Sequence, residues 1–60
     1  MNLVTEFNRL NRPGITAFLM KKAGLSLSEL NAKLRDDSFS LDERERFILA
    51  LREWEREINK

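Results

Sequence analysis

The chain lacks cysteine and histidine altogether, and its 60 residues include only two glycines and one proline. Without cysteine no disulfide can form, and without cysteine or histidine the usual ligand sets of a zinc site are missing. The same absences remove the thiol nucleophile and the imidazole base. The carboxylates sit in charge-rich helical stretches and read as solvated surface, so no enzyme activity, cofactor, metal or small-molecule substrate is expected. No run approaches the ~18 apolar residues of a membrane span. Met1 to Leu10 also has neither the basic start nor the apolar middle of a secretory signal. The expectation is a cytoplasmic protein with no membrane partner.

A domain this short buries only about 60% of the surface its unfolded chain exposes. Its stability must therefore come from tight helix packing or from self-association. Formal net charge is +1, which alone says nothing of nucleic acid, but its distribution is uneven. Up to Arg35 six basic side chains stand against two acidic ones, a balance of +4. From Asp36 onward five stand against eight, a balance of −3. Two readings stand: one end faces phosphate, or a short chain has split unevenly by chance.

The apolar spacing is helical throughout. Leu3, Val4, Phe7 and Leu10 mark a first amphipathic helix over about 2–10. The run Asn11-Arg12-Pro13-Gly14 ends it, because proline lacks a donor and biases Arg12 away from helix. A second helix spans Ile15 to Ala23, with Ile15, Phe18, Leu19 and Ala23 inward, Lys21 and Lys22 outward and Thr16 as candidate N-cap. After Gly24, Ser26-Leu27-Ser28-Glu29 has capping-box spacing and opens a third helix to about Arg35, burying Leu30 and Leu34. Ser40-Leu41-Asp42-Glu43 repeats the device and opens the longest helix, Leu41 to about Asn59. Phe47, Leu51, Trp54 and Ile58, with Ile48 alongside, form one continuous stripe. Its early part, Leu41, Phe47, Ile48 and Leu51, is expected to cover the three short helices, and Trp54 and Ile58 lie further along the axis, where little of the monomer remains to cover them. Asp42 with Arg46, Glu53 with Arg56 and Glu57 with Lys60 are the expected surface pairs. With no strand pattern or repeat, the fold class is all-α: one domain over residues 1–60, a compact bundle of four helices.

Only Gly24, Leu25 and Ser26 join the second and third helices. A tight glycine-containing turn followed by a serine-capped short helix fits a helix-turn-helix, whose second helix enters the major groove. The stretch Ala23-Gly24-Leu25-Ser26-Leu27-Ser28-Glu29-Leu30-Asn31-Ala32-Lys33-Leu34 resembles the helix-turn-helix of phage Cro and repressor-type regulators. The likeness continues through Ser38-Phe39-Ser40-Leu41-Asp42-Glu43 and covers roughly residues 16–51. Two positions depart from the family pattern. Met20 stands where alanine is usual, and Leu27 where a polar, DNA-facing residue is common. Leu27 either meets a thymine methyl or belongs to the core.

The resemblance implies a sequence-specific DNA-binding transcriptional regulator of phage or plasmid type, with double-stranded DNA as partner. It presents Ser26, Leu27, Ser28, Asn31, Ala32 and Arg35 outward, with Asn31 reading adenine and Arg35 reaching guanine or phosphate. Thr16, Lys21, Lys22 and Lys33 become phosphate contacts. Regulators of this kind pair so that two recognition helices meet successive major-groove turns, ~34 Å apart. A homodimer through Leu51, Trp54 and Ile58 follows, unless the first helix folds back over Trp54. The alternative function is a small helical protein-interaction module, such as an antirepressor or host-protein inhibitor, that acts through the last helix.

Overall fold

The computed structural model describes residues 2–60 and is built of four helices. They are α1 (Leu3–Arg9), α2 (Ile15–Ala23), α3 (Leu27–Asp36) and α4 (Leu41–Ile58). No strand occurs among the described residues, so the all-α architecture with a longer C-terminal helix stands. α2 packs most extensively on α4, while α3 rests against α1 and α2.

Three of the four helices start where a side chain satisfies an orphan amide of the first turn. Asn2 accepts from the Thr5 amide at 3.1 Å. Ser26 and Ser40 form full capping boxes with Glu29 and Glu43. α2 is the exception. Its N-cap position is Gly14, in a left-handed conformation and without a side-chain cap, so Thr16 lies inside the helix and does not cap it. Gly24 at the other end has φ +71°, the left-handed turn that lets the chain leave α2 sharply.

The core joins all four helices: Leu3 and Leu10, Ile15, Leu19 and Ala23, Leu25 and Leu30, and Phe47, Ala50, Leu51 and Trp54. Two expectations fail here. Leu41 does not cover the short helices but is 83% exposed, because the helical period sets it on the side of α4 away from the core; Phe39 of the preceding loop packs its ring 4.8 Å from Phe47. Trp54 does not await a second copy either. It is only 9% exposed, and its indole Nε1 donates to the Leu10 carbonyl at 2.8 Å. Its ring lies 5.2 Å from that of Phe18. The end of α1 and the turn at Gly14 thus fold back over α4. Leu51 is buried in the same core and Ile58 is half-buried against it, so the three side chains expected at a dimer interface serve the monomer.

Candidate nucleic-acid interface

Gly24 ends α2, and its amide donates to Met20 O at 3.0 Å, with the Leu25 amide on the same carbonyl at 3.2 Å. Leu25 then turns inward and is buried, filling the angle between α2 and α3. Ser26 stops the turn by accepting from the Glu29 amide at 3.1 Å, while the Glu29 carboxylate takes the Ser26 amide at 3.2 Å. Those bonds hold the Glu29 carboxyl below the ordinary range, the backbone bond being the larger cause. Leu30, one turn on, is buried and pins α3 to the domain.

The opposite face of α3 is open. Ser26, Ser28, Asn31 and Arg35 are exposed, and Ala32 is half-buried. Leu27 is 49% exposed and so does not belong to the core. Met20 is accommodated as a half-buried side chain against the core, its flexible thioether filling space that alanine would leave.

The cations divide into those on display and those already engaged. Lys21 is exposed and has no carboxylate partner among the described residues. Lys22 is exposed but lies 3.6 Å from Glu53 and over the Phe18 ring. Arg35 reaches the neighbouring Asp36 at 3.3 Å. Thr16 is half-buried near the start of α2. Lys33 is the outlier of the expected set. Its ammonium is half-buried and donates to Glu43 at 2.8 Å and to Ser38 O at 3.5 Å, closing the loop between α3 and α4 instead of facing solvent. The Lys33 ammonium, with help from the Ser40 cap, draws the Glu43 carboxyl down to about 2.

The uneven charge of the sequence thus has a partly internal cause. Arg9, Lys22 and Lys33 of the basic half each pair with a carboxylate of α4: Glu55, Glu53 and Glu43. Glu53 therefore faces Lys22, not the expected Arg56. Asp42–Arg46 and Glu57–Lys60 form as expected, at 3.2 and 3.3 Å.

Arg46 has a second role that its spacing from Asp42 hid. It donates to the Ala23 carbonyl at 3.3 Å, placing a cation on the free C-terminal end of α2 and bracing the turn from α4. No local pattern signals this, because the partners are 23 residues apart. Comparison of the chain with family models, with curated proteins and with solved structures finds no match. The likeness to repressor-type regulators rests on the motif alone.

Proposed function

We propose that the chain binds double-stranded DNA through α3, as a sequence-specific transcriptional regulator acting as a homodimer. The observation that carries the reading is the open α3 face of Ser26, Leu27, Ser28, Asn31 and Arg35 on a helix anchored from behind by Leu25 and Leu30. Such a helix presents side chains to a groove without unpacking the core. Asn31, central on that face, suits adenine, whose N6 and N7 take a carboxamide in two hydrogen bonds. Lys21 and Lys22 flank the motif as phosphate contacts, with Thr16 and Arg35 at its margins. Lys33, held by Glu43, is not among them.

Fluorescence anisotropy on mixed-sequence duplex DNA at low salt tests this. Binding should weaken with a log-log slope of about −0.9 per phosphate neutralised, and Lys21→Ala should flatten that slope by about one phosphate. On a selected site, Asn31→Ala should cost about 1–3 kcal/mol at one base pair and leave non-specific affinity unchanged. An Asn31→Ala loss equal on selected and random DNA would remove Asn31 as a base reader. No duplex binding at low salt would refute the reading. A second reading, a protein-interaction module acting through α4, is favoured by Leu49, which is 62% exposed on that helix.

A further inference from the structure

α4 turns one face to the core and leaves the other bare. On 3.6 residues per turn, Leu41, Glu45, Ile48, Leu49, Arg52 and Arg56 lie along the bare side. Leu41 and Leu49 are 83% and 62% exposed, Ile48 is half-buried, and the three charged residues are exposed. A shallow groove bounded by Glu45, Ile48, Leu49 and Arg52 runs along its middle.

Two features of this face go together. Elsewhere α4 is laced with ion pairs, yet Glu45, Arg52 and Arg56 have none among the described residues. Glu45 has no basic residue three or four positions away in either direction. Arg52 has Glu55 within reach along the helix, but Arg9 occupies that carboxylate. Arg56 has Glu53 three positions back, but that carboxylate faces Lys22. All three charges are thus solvent-facing and free to pair with another molecule.

The second feature is the spacing. Positions 41, 45, 48, 49, 52 and 56 are separated by 4, 3, 1, 3 and 4 residues, the same read from either end. A two-fold axis between Ile48 and Leu49 therefore superposes the face on itself, antiparallel. In that arrangement Ile48 meets the second copy's Leu49, Glu45 meets its Arg52, and Leu41 lies on the apolar stem of its Arg56. Each cross-pair occurs twice, as an isologous interface requires.

The geometry points to a second copy of this chain as the occupant of the face: an antiparallel α4–α4 dimer centred between Ile48 and Leu49, with Glu45–Arg52 ion pairs on both sides of the axis. This deepens the homodimer half of the function proposed above and places the interface opposite the buried Trp54 side of α4. It involves no residue of α3, so its test runs without DNA and its failure leaves DNA binding to be judged separately.

Sedimentation equilibrium of the full chain at low salt, up to ~1 mM, reads the association directly. Wild type should dimerise reversibly. Glu45→Arg and Arg52→Glu each set like charges across the axis and should weaken dimerisation about tenfold or more. The Glu45→Arg/Arg52→Glu double variant restores opposite charges and should recover wild-type association. An equimolar mixture of the two single variants should also associate, because every cross-pair in the heterodimer is complementary. Both positions tested, Glu45 and Arg52, are solvent-facing, and far-UV ellipticity checks the fold of each variant. Three results would overturn the proposal: a chain monomeric throughout, which leaves the face to a different protein; single variants that associate like wild type; or a double variant that stays as weak as the singles.

Discussion

Trp54 offers the sharpest test of how this small domain is held together. Replacing it with phenylalanine keeps an aromatic ring beside Phe18 but removes the indole N–H, leaving the buried Leu10 carbonyl without its donor. An unsatisfied buried acceptor costs about 1–3 kcal/mol. The smaller ring also gives up contact beside Gly14, where a Cβ would stand 3.6 Å from the Trp54 ring edge. A total of about 2–3 kcal/mol is a large share of the roughly 3–9 kcal/mol expected for a chain of this length. At about 8 °C per kcal/mol for so small a domain, Tm should fall by roughly 15–25 °C. Thermal melts followed by far-UV ellipticity at low chain concentration measure this. Leu41→Ala is the matched control: 83% exposed in the monomer, it should stay within about 0.5 kcal/mol of wild type. A Trp54→Phe melt within a few degrees of wild type, or a Leu41→Ala loss of similar size, would show that the closure of α1 over α4 is misplaced.

Arg46→Ala should cost about 1 kcal/mol through the lost bond to the Ala23 carbonyl, whereas Asp42→Ala, which breaks only the surface pair, should cost less than about 0.5 kcal/mol; equal losses in urea titrations would deny Arg46 its bracing role. The Glu43 carboxyl is depressed to about 2 from an ordinary 4.5, so the stability it contributes is fully present above pH 4.5 and is lost as pH falls toward 2. The Tm advantage of wild type over Glu43→Gln should therefore be full above that window and close within it. A gap that stays constant with pH would show that the Lys33–Glu43 contact carries no linkage.

Much of the local structure is legible along the chain because its causes lie within a turn or two of helix. Both capping boxes, the left-handed Gly24, the inward Leu25 and Leu30 and the boundaries of α3 and α4 come from residues at most four positions apart. The start of α2 is the counter-example. Thr16 is a better cap by residue type, but the turn after Pro13 places left-handed Gly14 at the N-cap position, so the helix begins at Ile15, two residues earlier than a Thr16 cap would set it.

Roles that depend on partners far along the chain are not legible in this way. Trp54 and Leu10 meet across 44 residues, Arg46 and Ala23 across 23. The helical period gives Leu51, Trp54 and Ile58 a common face but does not say whether that face meets α1 or another molecule. Phe39 lies outside any helix, so no helical period signals that its ring packs on Phe47. The basic half of the sequence likewise looks like one phosphate-facing surface until α4 brings its carboxylates to Arg9, Lys22 and Lys33.

The sequence alone fixes four helices, their caps, the sharp turn at Gly24 and the polar outer face of α3, because hydrogen-bond closure and side-chain period act over a few residues. Which α4 face is core, which lysines remain free and which leucines are left bare depends on how α1 and α2 close over α4. Burial and ion pairing are properties of neighbours in space, so these were settled only when the helices packed.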